Sequence, residues 1–172
     1  MSRLLLVFLG CGTVTAAEIA RPQVPENLKA PDAEAVVLKA VGKGKQIYSC
    51  QAKAGSDGFE WALARPDAAL WNEQGERIGK HYAGPTWEAT DGSKVTGQVQ
   101  ERANAPVGGA VPWLLLKAKS AQGTGTFERV TYIQRVNTIG GVAPSVGCDK
   151  EHAGAQAAIE YEADYYFYAP RQ

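Results

Sequence analysis

The chain is poor in the residues that most readily build a catalytic centre. It has two histidines, His81 and His152, in 172 residues. Neither stands in HxH or HExxH spacing, so the usual zinc-binding patterns have no basis here. None of the three cysteines sits in a CxxC pair, which removes a dithiol redox site. No GxSxG elbow is present. Charge of one sign is lacking as well: Lys plus Arg and Asp plus Glu are 18 each, with no long run of either. Nucleic-acid binding needs clustered cations to neutralise phosphates, and a polybasic lipid grip needs the same, so both are excluded. The apolar run at residues 4–9 is far below the roughly 20 residues of a membrane-spanning helix, so no transmembrane segment is expected. No window carries an apolar helical stripe over three turns.

What is present begins with a leader. One positive charge at Arg3, the apolar run and the small residues Val14, Thr15, Ala16 and Ala17 follow the layout of a signal peptide over 1–17. The expected location is secreted or periplasmic. An alternative takes Phe8-Leu9-Gly10-Cys11 as a lipoprotein box, with the protein anchored at Cys11. On either reading Cys50 and Cys148 remain as a pair in an oxidising compartment, and a disulfide between them is expected. It would close a loop of about 100 residues, for which chain entropy gives roughly 4–5 kcal/mol.

The mature chain, 18–172, suits one domain. Residues 18–33 are Pro-rich and read as an extended arm laid over it. The 19 glycines and 9 prolines fit frequent turns between short strands. Strands are expected at 35–41 and 46–51, joined by a turn at Gly42-Lys43-Gly44-Lys45. Others follow at 59–63, ending at Arg65-Pro66-Asp67, and at 68–71, 78–82, 87–89 and 94–100. The Asp91-Gly92 pair marks a hairpin turn. Residues 112–118 read as a strand buried on both faces, 127–137 as a long strand, and 157–169 as a strict alternation. There Ile159, Tyr161, Ala163, Tyr165 and Phe167 face one way, and Glu160, Glu162, Asp164, Tyr166 and Tyr168 the other. The expected fold is an all-β, single-domain antiparallel sandwich or barrel.

Four local patterns occur in order: Pro25-x-x-Leu28-x-Ala30-Pro31, Gln46-Ile47-Tyr48-x-Cys50, Gly84-Pro85-x-Trp87-x-x-x-Asp91-Gly92-Ser93-x-Val95, and Gln134-Arg135-Val136-Asn137-Thr138-x-Gly140-Gly141-x-Ala143-Pro144. Together they resemble a family of secreted bacterial and fungal proteins known only as a domain of unknown function. The resemblance implies export and a single domain, and no established activity. Some fungal members carry a malate dehydrogenase label. The sequence does not support it, having neither a Gly-rich strand-to-helix turn nor βαβ alternation.

Four constellations could carry chemistry. His81, Glu88, Asp91 and His152 are possible metal ligands, yet structural zinc sites draw on cysteines that the disulfide would consume, and no metal site or cofactor is expected. Ser93, His81 and Asp91 or Asp149 supply the residue types of a hydrolytic triad, which only geometry can define. Glu160, Glu162 and Asp164, or Glu88 and Asp91, could pair for glycoside cleavage. Trp71, Tyr82, Trp87, Tyr166 and Tyr168 offer more rings than a core requires, some on polar faces. The expectation is therefore a non-catalytic binding or envelope-associated module. It would use exposed aromatics, with Trp87, Tyr82, Tyr166 and Tyr168 as ligand contacts and a cell-envelope glycan or protein as partner. The alternative is a hydrolase or metal-dependent enzyme centred on His81, Glu88 and Asp91.

Overall fold

The computed structural model describes residues 18–171. The leader expected at 1–17 and the alternative anchor Cys11 lie outside the described residues. Eight antiparallel strands, each bonded to the next and the last to the first, close a barrel. They are β1 (Glu34–Ala52), β2 (Phe59–Trp71), β3 (Arg77–Tyr82), β4 (Thr86–Ala89), β5 (Lys94–Ala103), β6 (Trp113–Gln122), β7 (Tyr132–Gly140) and β8 (Gln156–Pro170). The all-β antiparallel expectation holds, and of its two forms the barrel is the one adopted. Closure removes the two free edges that an open sheet would leave.

The alternation in β8 shows how the wall is built. Tyr161, Ala163, Tyr165 and Phe167 join the inner core with Leu70, Trp87, Leu116 and Ile133. Glu160 and Glu162 point outward, directly opposite Lys45 and Lys43 of β1, and pair with them at 3.3 Å each. These outer pairs are exposed and add little stability. Burial of the inner face is the main driving force.

Two breaks expected from Gly and Pro are not breaks. β1 runs unbroken through Gly42-Lys43-Gly44-Lys45. A Cβ on Gly42 would lie 2.6 Å from Cε2 of Tyr165, and one on Gly44 would lie 2.2 Å from the Asp67 carbonyl oxygen. These glycines serve close approach inside the barrel, not a turn. β2 likewise runs through Arg65-Pro66-Asp67. Pro66 stands opposite Gln46 of β1 and precedes the β2–β3 ladder, which begins at Ala68, so on the β3 side a proline interrupts no ladder bond. The strand expected at 127–137 begins only at Tyr132. Phe127 and Val130 instead turn into the inner core from the β6–β7 connection.

A second cluster forms on the outside. Leu28, Ala30, Val36, Leu115, Val136, Tyr166 and Tyr168 are packed together, with Ile19 and Val24 against them. The segment before β1, with one 3-10 turn at Glu26–Leu28, thus covers part of the outer wall. Arg21 fastens it by donating to the carbonyls of Ala30 and Pro31. Gln134, buried beneath, donates to the Leu28 carbonyl.

Up-and-down topology puts alternate connections at opposite ends. Phe127 and Val130 plug the end that holds the β4–β5 and β6–β7 connections. The other end carries the disulfide. Cys50, late in β1, bonds Cys148 in the β7–β8 connection, with Cα atoms 5.3 Å apart.

Candidate ligand-binding cavity

The wall has a notch. β3 and β4 are short, and β4 pairs with β5 only at 94–96. β2 pairs with β1 from Phe59 onward, and β5 with β6 as far as Ala103. Residues 59–67 of β2 and 97–103 of β5 therefore run past the β3–β4 hairpin without a ladder between them. Behind the notch lies a cavity of about 410 Å³, within the range typical of small-molecule sites. Leu63 to Pro66 and Val99 with Arg102 flank it, and the Gly84-Pro85 turn contributes to it. Trp87, Leu116, Tyr165 and Gln46 are its fully buried lining side chains.

His81 belongs to this cavity. It stands opposite Trp87 across the β3–β4 ladder, so both side chains share the inner face, with rings stacked at 4.4 Å. Tyr165 closes edge-on against both. His81 Nδ1 donates to the Thr86 carbonyl at 2.9 Å. Burial pushes its pKa down to about 3, against the Thr86 bond and with the help of the Arg135 charge. The imidazole is therefore neutral near pH 7.

Glu88 is one residue from Trp87 and so faces outward. The Tyr82 hydroxyl donates to it at 2.7 Å, and Lys80 and Lys94 lie 3.2 and 3.8 Å away. The Tyr82 bond, followed by the Lys80 contact, holds its carboxyl below the usual range. Asp91 is at the plugged end, in the β4–β5 turn. It accepts from the N–H and hydroxyl of Ser93 and from the N–H and hydroxyl of Thr126. Those bonds, Ser93 first, hold it far below the ordinary carboxylate value. Ser93 is fully buried and accepts the Phe127 N–H at 3.1 Å. The fold does not bring His81, Glu88 and Asp91 together, and it gives Ser93 an acid and an amide but no histidine.

The remaining acidic candidates are also accounted for. His152 bonds Asp149 at 2.7 Å within the β7–β8 connection, and this contact lowers the Asp149 pKa. Glu160 and Glu162 pair with lysines, and Asp164 accepts from Asn137. Among the described residues no group of three metal-ligating side chains converges.

The expected display of exposed aromatics is corrected. Trp87 and Tyr168 are 1% exposed and Tyr166 is 8%. Trp87 points into the barrel. Tyr166 and Tyr168 do point outward, but the outer cluster covers them. Arg21 sits 5.4 Å from the Tyr168 ring centre, and the Tyr168 hydroxyl donates to Gln134. Tyr82 is half-buried and committed to Glu88, and Trp71 is half-buried beside a shallow depression near the β2–β3 turn.

Arg135 is the charged group inside the cavity. On β7 it lies two residues from Ile133, which is in the inner core, so it shares the inward face. Its Nε and Nη2 donate to the Pro112 carbonyl at 3.2 and 2.8 Å, which fixes the guanidinium in place. Gln46 also lines the cavity and is 1% exposed. Among the described residues, neither its Nε2 nor its Oε1 finds a partner. Tyr48, on the same lining, donates its hydroxyl to the Gly141 carbonyl at 2.6 Å.

Over residues 31–169 the chain matches the family described as "Protein of unknown function (DUF3455)". The chain belongs to that family. No curated protein and no solved structure matches it. The DUF3455 span contains every lining residue of the cavity, and most of the covering segment precedes it. Gln46 and Arg135 fall inside the second and fourth local patterns, yet neither is among the expected site residues. The available signal was a polar side chain at the inward phase of an otherwise apolar strand face.

Proposed function

We propose that this chain is an exported, non-catalytic binding protein that holds one small, largely apolar molecule inside its barrel. The observation that carries this reading is the cavity behind the notch, lined by Leu114, Leu116, Val99, Trp87 and Tyr165. Eight-stranded barrels have interiors just large enough to be filled by side chains or to hold one small ligand, and the space behind the short β3–β4 hairpin fits the second case. The disulfide supports export to an oxidising compartment. A catalytic reading centred on His81, Glu88 and Asp91 finds no support: one faces inward, one outward, and the third is spent on a turn at the plugged end.

The test is a fluorescence titration with N-phenyl-1-naphthylamine, a neutral aromatic probe whose emission rises in apolar surroundings. Saturable one-to-one binding is expected. Ala64 is exposed and lines the mouth, so Ala64→Trp should obstruct entry with little cost to the fold. The variant is expected to keep its thermal midpoint and lose probe binding. Absence of saturable binding, or binding unchanged in Ala64→Trp, overturns the proposal.

A further inference from the structure

We propose that the ligand is an organic anion of single charge, a carboxylate or sulfonate on an apolar or aromatic body, and that Arg135 binds its head group. This inference rests on the intrabarrel reading above and adds the chemical class. Three observations carry it. First, Arg135 brings a permanent positive charge into an apolar enclosure and, among the described residues, forms no ion pair. A guanidinium has five N–H donors; two bonds go to Pro112 and the Tyr165 hydroxyl is a further neighbour, which leaves others for a planar two-oxygen group, the geometry at which arginine excels.

Second, the Gln46 amide is buried and unpartnered on the same lining. Its stem is held close to Gly141, where an added Cβ would lie 3.2 Å from Gln46 Cγ, so the side chain is confined. A buried amide without partners is costly, and a ligand oxygen that accepts from Nε2 would relieve part of that cost. Third, no carboxylate lines the cavity among the described residues, while Arg65 and Arg102 stand at its rim. With His81 neutral, the enclosed charge is that of Arg135 alone, which one negative charge balances. An oligosaccharide would need many polar contacts, and this lining of leucines, valines and aromatic rings offers few. The anion's body would lie against Trp87, Leu116 and Tyr165.

A matched pair of probes tests this. 8-Anilinonaphthalene-1-sulfonate carries the same ring system as N-phenyl-1-naphthylamine with one added sulfonate. The wild-type protein is expected to bind the sulfonate at least about tenfold more tightly, the ratio that one charge-assisted contact supports. Arg135→Met should remove most of that preference while changing the neutral probe's Kd by less than about threefold. Arg135→Lys keeps a charge without the fork and should retain part of the preference. The wild-type comparison needs no variant, so misfolding of Arg135→Met leaves the proposal exposed to test. Equal or tighter binding of the neutral probe by wild type overturns this inference and leaves the intrabarrel reading standing. Failure of both probes to bind overturns both. Sulfonate binding unchanged in Ala64→Trp places the probe on the outer surface and also overturns both.

Discussion

Acidifying the protein from pH 7 to pH 5 is expected to cost about 2 kcal/mol of stability through the single side chain of His81. Its folded pKa is lowered from 6.5 to about 3. Between those values the unfolded chain takes up a proton that the folded barrel refuses, so stability falls as pH falls. The contribution is complete above the unfolded value and is lost progressively down to about pH 3, and each pH unit inside that window corresponds to about 1.4 kcal/mol. The window from pH 7 to 5 includes about one and a half such units, hence the figure of about 2. The acids act elsewhere. Glu88, Asp91 and Asp149 are held below their ordinary values of 4.5, 3.8 and 3.8. Their contributions are full above those values and go only at lower pH. Urea unfolding followed by tryptophan fluorescence at pH 7, 6 and 5 measures the slope. His81→Phe keeps a ring against Trp87 and cannot titrate, so it removes the histidine's share while leaving all other groups in place. The wild-type protein should lose about 2 kcal/mol more than His81→Phe over this range, or about 4–8 °C in Tm. Parallel losses in the two proteins would refute the neutral, buried assignment of His81.

Two further outcomes follow from the ends of the barrel. Replacing Cys50 and Cys148 together by serine should lower stability by about 4–5 kcal/mol on the loop-entropy account, because they close a separation of 98 residues; a loss below about 1 kcal/mol would show that this loop is already constrained in the unfolded chain. Ser93→Ala removes the acceptor of the buried Phe127 N–H together with the hydroxyl bond to Asp91. It should cost about 1–3 kcal/mol, read as a lower urea midpoint at unchanged slope.

The sequence was most informative where alternation was strict and least where glycine and proline had two uses. The phase of β8 was legible residue by residue, because Tyr161, Ala163, Tyr165 and Phe167 alternate with acids that must face water. The same logic misled at Tyr166 and Tyr168. Alternation alone does not distinguish facing away from the barrel axis from facing solvent, and only the folded chain shows Leu28 and Ala30 covering that wall. Gly42 and Gly44 read as a turn because glycine's freedom is local and visible, whereas the approach of Tyr165 is a tertiary fact. His81, Glu88 and Asp91 looked like a site because they are close in sequence. In a strand, neighbours point to opposite faces, so closeness along the chain works against convergence. Arg135, the charged group that does reach the interior, sits more than forty residues from all three.

The two ends of the barrel are secured by different chemistry. At the end beside the notch the fastening is covalent, a bond between β1 and the β7–β8 connection. At the plugged end it is a carboxylate gripping two connections at once, Asp91 holding Ser93 and Thr126. A thiol reductant therefore acts on the first fastening, whereas the Asp91 grip yields only to strong acid. Reducing the disulfide frees the β7–β8 connection beside the notch and leaves the Asp91 fastening of the plugged end in place.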